Sequence, residues 1–356
     1  MDRIWWTQIH SARRFVSRIE EALLQEKSAF LYLPDSMPWY QTMVEQIQDE
    51  VQQQDPKRRF ETIESPEGGI GQFLMETYCK AEKREQYRPS KGKKQATFLA
   101  RSNDIVMNER YIWVRNVKRE AVAGWQDFLE EYLAALPHGM APAVFIVEVR
   151  DADDISRKIK GVQDINYVKD VTEYDIYTFC TICAADISCC VKLKPYLAAL
   201  VSTISEKDPE LCAACLDHWK DMLRDPGRVL ERVVNEEAHC DGSPYDCRMT
   251  RADIDTGIWE TQIKILFPAL ERFRAGFIEK YKSGIQKNCP FESEYNTYAE
   301  PEDVELGPLY YMVKNGKLSV TDSDREQLGL FKHARDKLAH LSCVEYADVE
   351  KILMVC

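Results

Sequence analysis

The chain has 356 residues, with 47 Lys or Arg against 59 Asp or Glu, a formal net charge of −12. That acidity excludes broad, non-specific coating of nucleic acid, though not a local basic patch. Hydrophobic residues make up 45% of the sequence, enough to bury the cores of two or three domains. No stretch approaches the roughly 18 consecutive apolar residues of a membrane span, so no membrane contact is expected. The first residues, MDRIWWTQIHSARR, have no apolar signal core. The twelve cysteines then read as reduced thiols of a cytoplasmic protein.

The first half alternates helical and strand-like runs. Residues 11–27 are amphipathic, with Phe15, Ile19, Leu23 and Leu24 on one face, and predict a helix. "SAFLYLP" (28–34) predicts a buried strand, and a helix follows over 39–54. "RRFETIES" (58–65) predicts a second strand, and "GGIGQFLMETYC" opens a helix from a glycine-rich turn. "RYIWVRNV" (110–117) and "PAVFIVEVR" (142–150) predict two more strands around a helix over 121–136. Strands alternating with helices at this spacing argue for a mainly parallel, helix-covered sheet.

From about residue 170 the periodicity is helical throughout. The turn-rich stretch over 239–257 marks a boundary, and 287–303 is a second loop. The spacing divides the chain into 1–165 (α/β), 166–256 (helical) and 257–356 (helical), so the C-terminal half is all-α. Ser323 and Glu326 have the S-x-x-E form of a capping box opening a helix over "SDREQLGLFKHARDKLAHL".

Over residues 25–155 the order of strand, polar turn, helix and further strands resembles a P-loop NTPase of the STAND/AAA-like class. In that family the first strand leads into G-x-x-x-x-G-K-[ST], whose amides and lysine hold phosphates. Here the matching turn is "LPDSMPWYQTMVEQI" (33–47), with no glycine, no lysine and two prolines. The strand that should end in acidic metal-binding residues ends in Arg115-Asn116. The resemblance therefore implies a degenerate NTPase with no hydrolysis expected and no cofactor. Gly68, Gly69 and Gly71 lack a lysine and lie near Glu61, Glu64 and Glu67, which would repel a phosphate. They read as a turn or helix start.

Two clusters admit a second reading. Residues 83–94 hold Lys83, Arg84, Arg88, Lys91, Lys93 and Lys94 with one tyrosine, which suits either a solvated loop or contact with a phosphate backbone or acidic partner. Cys180 and Cys183, and Cys212 and Cys215, are CxxC pairs with zinc-like spacing, with His239, Cys240 and Cys247 as further ligands. Their helical surroundings of Ala, Leu and Ile equally suit a packed core face.

Residues 257–356 resemble a HEPN-type helical domain, through "WETQIKILFPALERFRAGFIEKY", "LGPLYYMV", "RDKLAHL" and "SCVEYADVEKIL". In active HEPN ribonucleases an R-x(4–6)-H motif lies at the start of a helix, and two copies meet across a dimer. By that motif Arg335 and His340 are the catalytic candidates and Asp336 a polar supporter. The imidazole would move protons and the guanidinium would stabilise the phosphate, without metal. Positions five apart on a regular helix lie about 140° from one another, so this chemistry needs a second chain. The alternative is structural: Leu338, Ala339 and Leu341 pack the core while Arg335 and His340 bond to neighbouring groups, with His333 at the surface.

A degenerate NTPase-like half joined to a HEPN-like tail resembles proteins of bacterial conflict and anti-phage systems. Two functions follow as expectations. One is a non-hydrolytic sensor or scaffold that binds a protein partner encoded nearby; the other is a homo-oligomeric, metal-independent ribonuclease acting on RNA.

Overall fold

The computed structural model describes residues 1–89, 94–102, 105–150, 157–167, 171–292 and 296–355. The chain divides into two compact units, Met1–Asp175 with His239–Ser243, and Ile176–Ala238 with Pro244–Cys356.

The first unit is α/β. Its elements run α1 (Asp2–Gln8), α2 (His10–Leu24), β1 (Ser28–Leu33), α3 (Tyr40–Gln54), β2 (Arg59–Glu64), α4 (Ile70–Tyr78), α5 (Ala81–Arg84) and α6 (Gln95–Ala100). There follow β3 (Arg110–Val117), α7 (Arg119–Ala135), β4 (Val144–Arg150) and β5 (Val162–Asn166). The five strands form one parallel sheet in the order β2-β3-β4-β1-β5. The four runs expected as strands are β1 to β4.

Both faces of the sheet are covered, which is why β1 and β4 read as nearly unbroken apolar runs. Phe30, Tyr32, Ile112, Val114, Phe145 and Val147 share one core with Leu74 of α4, Leu99 of α6 and Trp125 of α7. Helix α2 packs against β1, β5 and α3 and buries Phe15, Ile19 and Leu23, the face predicted from its periodicity. Strand β5 was not foreseen. Val162-Gln163-Asp164-Ile165-Asn166 buries only Ile165, and a short polar edge strand lacks the apolar signal of a central one.

Burial, then the nearby Glu50, push the Glu20 carboxyl on α2 up to about 7. The folded state therefore holds this proton more tightly than the unfolded chain. Its contribution to stability is complete below the ordinary value of 4.5 and is lost as pH rises through about 7. Glu20→Gln is expected to raise the unfolding free energy by about 1–2 kcal/mol at pH 8 and hardly at all at pH 4. Urea melts at both pH values check this; a gain independent of pH would exclude the buried-carboxyl account.

The second unit is helical. It contains most of α8 (Glu173–Asp186), then α9 (Lys194–Ile204), α10 (Pro209–Asp217), α11 (Trp219–Arg224), α12 (Pro226–Glu236) and α13 (Arg251–Gln286). A short antiparallel ribbon, β6 (Phe291–Glu292) with β7 (Thr297–Tyr298), precedes α14 (Leu306–Lys314), α15 (Asp322–Ala339) and α16 (Tyr346–Val355). Asp208 and Asp225 accept hydrogen bonds from the first-turn amides of α10 and α12, and each is followed by proline. These caps help to divide the helical stretch over 208–234 into three short helices. Helix α13 continues through residues 256 and 257, and Gln262 Nε2 donates to the Val344 carbonyl while its Oε1 accepts from the Val344 amide.

The capping box expected at Ser323 and Glu326 is not the one formed. Thr321 is the N-cap of α15, its Oγ1 accepting from the Asp324 amide at 3.2 Å. Asp324 also takes the Lys280 ammonium and the Thr321 and Tyr281 hydroxyls, which pull its carboxyl down to about 2. Two overlapping Ser/Thr-x-x-acid registers were available; partners on α13 favour the earlier one.

Candidate functional site

In parallel α/β sheets ligands bind outside the carboxyl ends of the strands, where strand order reverses. Here that point lies at β1, between β4 and β5. The turn after β1 is closed by its own side chains. At the start of α3 the Tyr40 hydroxyl donates to Oε1 of Glu148 on β4, and the indole N–H of Trp113 on β3 donates to the same oxygen. Glu148 is 1% exposed, and burial holds its carboxyl above the usual range. The guanidinium groups of Arg115 and Arg150 lie 5.0 and 5.4 Å from the Tyr40 ring centroid. Arg150 also donates to the Pro34 carbonyl at 3.4 Å and to the Asp35 carbonyl.

The backbone around this cluster is unusual. Trp39 is left-handed at φ 41°, Asn116 at φ 54°, and the β3–β4 register shifts between Val114 and Val117. Asn116 donates to Glu64 at 2.7 Å. Both guanidinium groups are thus engaged inside the protein: Arg150 secures the turn and Arg115 lies over Tyr40. Residues 34–39 supply no lysine, and the neighbouring acid is a buried group satisfied by Tyr40 and Trp113. Neither Tyr40 nor Glu148 was singled out from the sequence. The signal was there in one form: Glu148 is a lone acid inside the run "AVFIVEV", and a charge there needs a buried partner.

The glycine cluster is a helix start. Gly69 is the N-cap of α4, with no side-chain cap. Gly68, Gly69 and Gly71 line a cleft of about 690 Å³ whose other wall is α7. Of the basic residues over 83–94, Lys83 and Arg84 lie on α5, Arg88 donates to the Tyr87 carbonyl at 3.1 Å, and Lys94 pairs with Glu131 in the cleft. Lys91 and Lys93 lie outside the described residues.

In the second unit, Arg335 and Asp336 lie in the last turns of α15 and His340 is its C-cap, so the motif closes a helix rather than opening one. Arg335 pairs with Glu305, just before α14, at 2.6 Å, and Asp336 pairs with Lys332 at 2.6 Å. His340 and His333 are exposed. Of the residues expected to pack, Leu338 is buried, but Ala339 is exposed and Leu341 is 73% exposed. The reason is the helix end. The Ser342 amide returns to the Lys337 carbonyl and the Leu341 amide to Leu338, a Schellman arrangement that puts Leu341 at φ 56°. The core contacts come instead from Leu328, Phe331, Ala334 and Leu338.

Cys180 and Cys183 on α8 and Cys212 and Cys215 on α10 are all buried. Burial pushes the Cys183 thiol up to about 12, and it also holds the Cys212 and Cys215 thiols well above their ordinary value. Such thiols resist ionisation and behave as small apolar groups. Among the described residues no group of three or more His, Cys, Asp or Glu is arranged to hold a metal ion. No family model matches the chain, and neither a curated protein nor a solved structure matches it.

Proposed function

We propose that this chain is a non-hydrolytic sensor or scaffold that acts through protein–protein contacts in a bacterial defence system. The closed turn after β1 carries the reading. A phosphate-binding loop needs free backbone amides and a lysine directed at the phosphates. Here Arg150 binds the carbonyls of that turn, and Tyr40 lies against Arg115 and Arg150 with its hydroxyl on buried Glu148. The defence setting rests on the likeness of the two halves to STAND/AAA-like and HEPN-like modules.

A second reading, a dimeric metal-independent ribonuclease, is favoured by one observation. His340 is exposed at the end of α15, and the adjoining Leu341 lines an open cleft of about 470 Å³ with Trp259, so a second chain has access. One set of assays separates the two. The purified chain is expected to show no magnesium-dependent ATP hydrolysis above a protein-free blank, and to leave structured RNA intact in EDTA. Sustained ATP turnover would overturn the scaffold reading. RNA cleavage lost in His340→Ala would replace it with the second.

A further inference from the structure

We infer that the cleft between α7 and the glycine-rich turn after β2 receives an extended, lysine- or arginine-bearing segment of a partner protein. This inference rests on the scaffold reading and names the docking chemistry.

One wall is a row of carboxylates. Glu120, Asp127 and Glu131 all line the cleft from α7, seven and four residues apart, spacings that return to one helix face. Their backbone positions lie about 10 and 6 Å apart along the axis. An extended chain presents same-face side chains about 6.6 Å apart, close to the Asp127–Glu131 step. Glu67 adds a fourth carboxylate, against two lysines, Lys94 and Lys118, in the lining.

The carboxylates on both sides of the cleft already collect basic side chains from their own chain. Lys94 pairs with Glu131, Lys118 with Glu67 at 3.6 Å, and Arg157 with Asp127. The three basic side chains are 68%, 74% and 48% exposed, so an incoming lysine or arginine can exchange with them at little cost. Glu120 has no ion-pair partner among the described residues. The half-buried Tyr87 offers aromatic surface to the aliphatic stem or cationic head of such a side chain, while Phe128 closes the floor of the cleft at 6% exposure.

The facing wall suits a backbone. Gly68 and Gly69 are exposed, and a Cβ built on Gly68 would meet nothing within 4 Å. Helix α4 begins at Ile70 without a side-chain cap, which leaves first-turn amides to donate to carbonyls of an extended segment. A nucleic acid, by contrast, would set its phosphates against the acidic row.

The test is fluorescence anisotropy of the full chain with a labelled nonapeptide of alternating lysine and glycine, and with its glutamate–glycine counterpart, in low salt. The lysine peptide is expected to bind at least about tenfold more tightly than the glutamate peptide, and high salt to weaken it. Two cleft variants, the triple Glu120→Gln, Asp127→Asn, Glu131→Gln and the charge-neutral Ala121→Phe, should each weaken it about tenfold. A control triple at exposed acids of the other unit, Glu236→Gln, Glu260→Gln, Glu326→Gln, should change it less than about twofold. Thermal melts confirm that each variant is folded. Equal weakening by the control triple, wild-type binding by a folded Ala121→Phe, or no preference between the peptides would each overturn the inference. Peptide binding does not depend on ATP turnover, so turnover would sink the scaffold reading alone, whereas failed peptide binding would sink only the docking site.

Discussion

Replacing Glu148 with leucine is expected to lower the unfolding free energy by about 2–5 kcal/mol. The change removes a buried carboxyl but adds no partner for what it held. The Tyr40 hydroxyl and the Trp113 indole N–H both donate to Glu148 Oε1. Trp113 is fully buried, so its N–H has no recourse to water. Each donor left unpaired in such a place costs about 1–3 kcal/mol, which outweighs the gain from burying leucine where a carboxyl had stood. Tyr40 would also lose the bond that secures it beneath Arg115 and Arg150. Urea unfolding of Glu148→Leu, Tyr40→Phe and the double variant checks the account. The single losses should not add, because both remove the same hydrogen bond. A Glu148→Leu protein as stable as wild type would show that this carboxyl does not hold the turn.

Phe331→Ala should cost about 3–5 kcal/mol, whereas His340→Ala nine residues along should change stability by less than about 0.5 kcal/mol. Phe331 is fully buried and stacks on Phe273 of α13 with ring centroids 3.9 Å apart. Removing the ring leaves a cavity at the contact between α13 and α15 and strands one face of Phe273. His340 is exposed, and its backbone, not its ring, ends the helix through the Asp336 and Lys337 carbonyls. Chemical denaturation of both variants provides the comparison. A His340→Ala loss near that of Phe331→Ala would make the histidine a packing residue and leave the exposed-ring picture untenable.

The same stretch, "FKHARDKLAHL", shows how far periodicity reaches. Phe331, Ala334 and Leu338 recur at helical spacing and are buried, as a sequence pattern should reveal. Leu341 breaks the pattern because the helix has ended, and a non-glycine residue at positive φ in a Schellman turn leaves no cue in composition. The sequence pointed to Ser323 and Glu326 as the cap of α15. Lys280 and Tyr281, more than forty residues away, are what favour Thr321 and Asp324.

What the sequence determined by itself is the local chemistry: which runs are buried on both sides of a sheet, which helices carry an apolar face, and the lack of a lysine in the turn after β1. These follow from side-chain period and residue type, which act over a few residues. Only the tertiary structure decided the strand order, the edge strand β5, and the meeting of Tyr40, Trp113, Arg115, Glu148 and Arg150. It also decided that acids from α7 face a glycine-rich turn fifty residues earlier across one cleft. Those juxtapositions come from hydrogen bonding and packing between distant segments. No local spacing encodes them, because the free energy that selects them exists only once the sheet and its covering helices are assembled.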